Sequence, residues 1–304
     1  MENVDGKWRA NAMHFLVSQT ISLFGTMLVQ YAITWHIVLV SRSGVAQMVA
    51  ILVAFVPTFL LSPFGGVWAD RHDKRKLMAL ADGAIAVVTL ALALVYQMGQ
   101  DSLVLLFVAM GLRAMGSAIH MPAVGAFVPQ LVPPEALARF NGIQQSVQPV
   151  VMLASPALAG LLLTVAPIQT IFYIDVVTAV AALVILLLVI KAPFKPQCTG
   201  EATAPKGYWQ DMKQGLAYVR DHRFLKPFFV FCTAFFFLAG PAAFLTPLQV
   251  VRSYKGEVWG LAGIEMAFSI GMIAGGLLIS AWGGFRNRAH TMMVSMLVFG
   301  VTTI

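Results

Sequence analysis

The sequence predicts an all-α integral membrane protein with many spans and a cytoplasmic N-terminus. Three observations predict it. Apolar types make up 59% of the 304 residues and charged types only 11%, and the mean hydropathy is +0.81. So few charges cannot cover a water-facing surface. The apolar residues gather in runs long enough to cross the bilayer, whose hydrocarbon core of about 30 Å takes about 20 residues of helix. Lys and Arg fall between those runs, concentrated in alternate gaps.

Runs long enough to span cover roughly 13–40, 46–69, 77–97, 102–123, 141–165, 169–190, 226–250 and 258–283, and a ninth begins near Thr291 and is still apolar at Ile304. None alternates in polarity as barrel strands do. The first is too long for a signal-peptide core and lacks a small-x-small cleavage site, so it stays as a spanning helix. With the N-terminus inside, 16 Lys and Arg residues lie on the inner side and three, Arg42, Arg252 and Lys255, on the outer, with Arg113 inside the fourth run. Cytoplasmic loops attract Lys and Arg, which fixes this orientation. The net charge of +7 is therefore a topology signal and not a nucleic-acid footprint. Cys198 and Cys232 match neither a disulfide framework nor a metal site.

The longest polar gap, 191–225, divides the chain. We expect a six-helix transmembrane bundle over 1–190, a cytoplasmic linker over 191–225, and a partial second bundle over 226–304. Within the linker Trp209, Met212, Leu216 and Val219 recur at helical spacing, the pattern of a helix lying on the inner leaflet. Gly65–Arg71 and Gly275–Ala281 hold corresponding places in the two parts, a weak sign of parallel repeats.

The loop after the second run reads Gly66-Val67-Trp68-Ala69-Asp70-Arg71-His72-Asp73-Lys74-Arg75-Lys76. A membrane anchor explains its basic residues but not Gly66 and Asp70 at fixed spacing. Gly66 would permit close approach of a neighbouring helix. Asp70, at a helix end, would pair with a base or face another helix's positive N-terminus. Arg113 in the fourth run is a costly charge near the bilayer centre. Its alternative role is structural, paired to a carbonyl or an acid. Pro156, between Ser155 and Gly160 in the fifth run, can kink its helix. Asp82, Asp175 and Glu265 are intramembrane carboxyls able to carry a proton or to form structural pairs, and Asp82 could pair with the basic loop. Gln19, Gln30, Gln144 and Gln148 are uncompensated polar groups in apolar runs that could face a solute pathway, and a seventh run rich in Phe could wall it. No P-loop, G-x-S-x-G or H-E-x-x-H sequence is present.

On the Gly66–Lys76 loop, with Asp73 where glycine is usual, the sequence resembles the major facilitator superfamily. Leu112–Gly116, Ser155–Gly160 and Val128–Glu135 add to the likeness, and Ile174–Val177 with Ile264–Met272 narrow it to the macrolide-efflux type of bacterial drug exporter. The resemblance covers essentially the whole chain. It implies a major facilitator fold with a complete N-terminal six-helix bundle and the first part of a C-terminal one, apparently cut short in helix nine. It implies a conformational latch at Gly66, Asp70, Arg71 and Arg75, proton coupling through Arg113 with Asp175, Glu265 or Asp82, and a helix-five kink at Ser155, Pro156 and Gly160. The implied activity is proton-coupled efflux of a small lipophilic drug by alternating access in a bacterial plasma membrane. No cofactor is implied beyond the proton gradient. The implied partners are the substrate, the lipid bilayer and an ATP-binding partner protein found in that subgroup. A siderophore or lysophospholipid cargo, or a non-transporting fragment, are the rival expectations. No enzymatic activity is expected.

Overall fold

The structure, a computed structural model, describes residues 2–190, 217–223, 225–253, 258–285 and 288–302. Its long helices are α1 (Glu2–Ser41), α2 (Gly44–Arg71), α3 (Lys74–Gln97), α4 (Leu103–Leu131), α5 (Pro134–Val165), α6 (Ile168–Val184, extended by a π-helical turn Ile185–Val189), α7 (Leu225–Ser253), α8 (Val258–Trp282) and α9 (Arg288–Thr302). Eight of them are long and apolar enough to cross a membrane, and α9 is shorter. The expected surface helix around Trp209, Met212 and Leu216 lies outside the described residues, as does Arg286; residues 217–221 are helical.

Local chemistry sets the helix ends. Ser43 caps α2, its hydroxyl accepting from Ala46 N–H. Asp73 caps α3, accepting from the N–H groups of Arg75 at 3.0 Å and Lys76 at 3.4 Å. These are orphan donors of the first turn. The acid that departs from the usual loop pattern thus has a structural task. Pro134 opens α5 in the first turn, where a missing N–H costs nothing.

Contacts divide the described chain into two units. One holds Met1–Pro196 and Pro247–Gly276, the other Gln197–Thr246 and Leu277–Ile304. The division differs from the one expected at residues 190 and 225, because much of α8 packs on the N-terminal bundle. A Cβ on Gly160 would stand 3.0 Å from Ala262, and the Ser269 hydroxyl lies 3.0 Å from the Met152 carbonyl of α5. In the second unit Phe235 and Phe299 stack edge to face at 5.8 Å, while Phe229, Phe236 and Phe237 are exposed.

The first unit carries the core, and it is layered. One buried apolar cluster gathers Leu28, Ile33, Trp35, Leu92, Tyr96, Leu106 and Phe172. A second gathers Phe15, Met78, Phe127, Leu131 and Leu186, at the end of the bundle where the α2–α3 and α4–α5 turns lie. Between them α1, α3, α4 and α6 present their buried polar residues: Ser22, Asp82, Thr89, Arg113 and Asp175. Two hydrophobic plugs therefore enclose a polar layer.

Candidate functional site

Each polar residue of that layer falls at a position where its helix turns inward. Arg113 of α4 and Asp175 of α6 meet in a direct ion pair, Nη1 to Oδ2 at 2.6 Å, and both are about 95% buried or more. The Arg113 Nη1 also donates to Thr89 Oγ1 of α3, and Nη2 reaches the Thr26 carbonyl of α1 at 3.5 Å. Thr89 Oγ1 is 3.0 Å from the same Asp175 oxygen and 2.9 Å from the Ile85 carbonyl, so its single proton serves one of them. Gly25 of α1 leaves the room: a Cβ there would lie 2.9 Å from Asp175 Oδ1 and collide with the Thr178 hydroxyl. One charge pair therefore ties four helices together. A buried pair is tolerable only when its remaining donors and acceptors are met, and here Thr89 and Thr26 meet them.

Asp82 belongs to a separate group. It does not pair with the basic loop; its carboxylate is 3.3 Å from His120 Nε2 of α4, at ion-pair distance but outside hydrogen-bond geometry. It accepts from the Ser22 hydroxyl at 3.4 Å. Seven residues separate Asp82 from Thr89, and His120 from Arg113. Two helical turns, about 10 Å, thus divide the two groups on one face of the bundle. The partner of His120 lies on another helix, so the pairing carries no local signal in the sequence.

A cavity of about 730 Å³ opens beside this layer, between α1, α3, α4 and α5. Gln19, Gln144 and Gln148 line it, with Asp82 and His120 on its wall. The Gln19 amide nitrogen is buried there without a hydrogen-bond partner among the described residues, a donor free for a solute. Gln30 does not line this cavity; its side chain reaches Thr34 one turn on, at 3.5 Å. Glu265 of α8 is half-buried and accepts from the Tyr31 hydroxyl of α1, away from the other two groups.

The loop residues take unequal places. Asp70 and Arg71 are exposed and form no ion pair among the described residues. Arg75 is committed within the bundle: its Nε donates to the Leu186 carbonyl at 2.8 Å and its Nη2 to Leu187. These carbonyls lie in the π-helical turn Ile185–Val189 at the end of α6, among the last carbonyls of a helix, which side chains can satisfy. Gly66 meets open space; the close approach belongs to its neighbour Gly65, where a Cβ would strike the Ala118 carbonyl oxygen of α4. The cause is Pro122, whose missing N–H frees that carbonyl four residues back, so a chain without a side chain must cover it.

The same logic governs α5. Pro156 lies inside the helix and frees the Met152 carbonyl, 3.0 Å from the Ser269 hydroxyl of α8, whose single proton is also within reach of the Glu265 carbonyl at 2.8 Å. Ser155 is fully buried and its hydroxyl has no partner among the described residues. Gly160 faces Ala262 and Trp35. The proline group is thus a docking surface for α8.

Long apolar helices, a polar layer between hydrophobic clusters and a cavity reaching it are the features of a multi-pass membrane protein of the solute-transporter class. The sequence matches the family model of the Major Facilitator Superfamily over residues 13–304, and the chain belongs to that family. Macrolide efflux protein A of Streptococcus pyogenes is 29% identical over 97% of this chain and 72% of its own length. The protein of the same name from Enterococcus faecalis is 31% identical, over 83% and 77%. The staphyloferrin A transporter of Staphylococcus aureus is 22% identical, over 96% and 72%. Among solved structures, an inward-facing, unoccupied bacterial homologue of the human lysosomal transporter Spinster superposes with a TM-score of 0.60 at 15% identity, covering 91% of this chain. The chain spans 63% of that structure's length. This likeness shows a shared fold.

Proposed function

We propose that this chain serves proton-coupled efflux of a lipophilic drug, such as a macrolide antibiotic, by alternating access in the bacterial plasma membrane, with its N-terminus in the cytoplasm. The observation that carries the reading is the buried Arg113–Asp175 pair. A guanidinium keeps its charge, so protonation of Asp175 removes the only counter-charge Arg113 touches and strands a cation in the core. That is a large local penalty, relieved by moving α4 relative to α6, and α1 and α3 move with them through Thr26 and Thr89. A proton thereby biases helix packing, which is what alternating access requires. The relatives named as macrolide efflux proteins support the cargo. The cavity, lined by apolar side chains together with carboxamides, the hydroxyls of Thr20, Ser22, Thr26 and Ser117, and Asp82 with His120, suits a large amphipathic solute.

Asp70 and Arg71, exposed at the end of α2, remain candidates for a latch that holds one access state. Glu265 with Tyr31 is a second carboxyl available for protonation. A siderophore cargo is the second reading, favoured by the staphyloferrin A relative.

Drug accumulation in cells tests the proposal. Expression of the protein as its gene encodes it lowers the level of radiolabelled erythromycin, a protonophore restores it, and Arg113→Ala or Asp175→Asn restores it in untreated cells. Wild-type extrusion by Arg113→Ala with Asp70→Ala would remove both residues from the mechanism. Extrusion that survives the protonophore and falls on ATP depletion would instead point to the ATP-binding partner that the resemblance implies. Competition by an iron-free siderophore, with none by the macrolide, would favour the second reading.

A further inference from the structure

Two buried charge pairs lie on one face of α1, α3 and α4, and only one of them touches the cavity. Asp82 and His120 are the ionisable residues lining it among those described. Arg113 and Asp175 do not line it; the cavity comes nearest to them at Thr26, whose carbonyl Arg113 reaches. We propose that the Asp82–His120 pair is a proton-binding site in the cavity wall, where a proton from the cavity is taken up before it acts on Arg113–Asp175. The inference rests on the proton coupling proposed above and adds the site of entry.

The two pairs have opposite charge balance. Arg113–Asp175 is neutral with no added proton, because the guanidinium is always charged. A proton placed on Asp175 leaves an uncompensated cation. Asp82–His120 is neutral only when the imidazole has gained a proton; without it, a carboxylate that is 6% exposed faces a neutral ring. Stranding a buried charge is the costly state in each case, so an added proton neutralises the lower pair and unbalances the upper one. Imidazole is also the side chain that changes charge between about pH 5 and pH 8. The His120 Nε2, buried and 3.3 Å from Asp82 without hydrogen-bond geometry, is set for the electrostatic pairing that protonation would complete.

On α3 itself the next buried charge is Lys74, eight residues, about 12 Å along the helix, from Asp82. From α1 the facing groups are Ser22 and Gln19, and from α5, across the cavity, Gln144, Gln145 and Gln148, all uncharged. On α4 the next charge is Arg113, two turns away and neutralised by Asp175 of α6. On α2, which packs on α4, Asp70 and Arg71 lie in the final turn, away from the cavity lining. The step balances: one proton leaves cavity water and adds to the His120 imidazole, leaves the imidazole for the Asp175 carboxylate, and returns to water from that carboxylate.

The experiment uses the protein as its gene encodes it, reconstituted in phospholipid vesicles with radiolabelled erythromycin as probe. Exchange of labelled for unlabelled drug at equal pH reports cargo movement without net proton flow; accumulation driven by an imposed pH gradient reports coupling. We expect His120→Gln to lose gradient-driven accumulation at least tenfold more than it loses exchange, and to flatten the pH profile between about pH 5 and pH 8. A wild-type profile and accumulation in His120→Gln overturn the proposal. If that variant also loses exchange, Asp82→Asn against Asp82→Glu decides: coupling kept with the charge and lost without it supports the site, whereas wild-type coupling in Asp82→Asn removes it. The underlying reading fails separately, when wild type itself ignores the gradient or Asp175→Asn couples normally.

Discussion

Arg113 shows how one side chain acquires meaning only from its partners. Its sequence position marks an expensive intramembrane charge; the structure supplies Asp175 at 2.6 Å and the oxygens of Thr89 and Thr26. Deleting one partner should cost about 3–5 kcal/mol, as expected for breaking a buried pair, and replacing both by apolar residues of similar size should recover most of that. Thermal unfolding in detergent of Asp175→Ala, Arg113→Met and a double Arg113→Met, Asp175→Leu variant checks this; a double variant as unstable as the worse single would contradict it. Ser269 is a smaller case. Its hydroxyl covers the Met152 carbonyl that Pro156 frees, so Ser269→Ala should lower stability by about 0.6 kcal/mol, and at most about 1.7, the range for interhelical hydrogen bonds in membranes. Pro156→Ala in the same background should cancel the loss, since the α5 N–H then satisfies that carbonyl internally.

Among elements, α2 against α4 and α3 against α6 are joined by contacts that the sequence pattern marks only in part. Gly65 lies over the Ala118 carbonyl that Pro122 exposes. Gly65→Val should therefore separate α2 from α4 and lower the yield of folded protein, while Gly66→Val, in open space, should fold as wild type. Size-exclusion profiles of the two variants give the comparison, and equal behaviour would refute the assignment of the close approach to Gly65. Arg75 ends α6 by donating to Leu186 and Leu187. Arg75→Ala should raise amide exchange in the π-helical turn Ile185–Val189 without changing exchange in α3 beyond its first turn. The loop thus performs two tasks: Arg75 and Asp73 build helix ends, while Asp70 and Arg71 stay available at the surface.

For the molecule as a whole, two apolar clusters flank a layer of buried polar residues, the arrangement on which the proposed proton coupling rests. Charges enclosed by Phe15, Phe127, Trp35 and Phe172 cannot be rehydrated cheaply, so under the proposed coupling a change in their protonation would be answered by helix movement. The cavity enters this layer along α1, from Gln19 to Met27, which keeps cargo and ionisable groups side by side. The orientation has a direct check. Reporter fusions at Asp73 and Ser253 should end in opposite compartments, Asp73 inside, because an odd number of spans, α3 to α7, separates them. Detection of both in one compartment would overturn the topology.

What the sequence by itself determined was the material: runs of about 20 apolar residues need no tertiary information to be recognised as candidate spans, and the bias of Lys and Arg proposes their direction without reference to packing. The family resemblance on Gly66–Lys76 likewise rests on neighbouring positions along the chain. The tertiary structure alone decided which intramembrane groups meet. Asp175 and Arg113 are 62 residues apart, and Asp82 and His120 lie on different helices, so no local period records either pair. It also decided that Gly65 and not Gly66 makes the close approach, that Gln30 lies away from the cavity, and that α8 packs on the N-terminal bundle. The physical reason is common to all of these: helical periodicity says which residues share a face, but which face turns toward which neighbour is settled by packing and by the need to satisfy every buried charge and every carbonyl that a proline leaves unpaired.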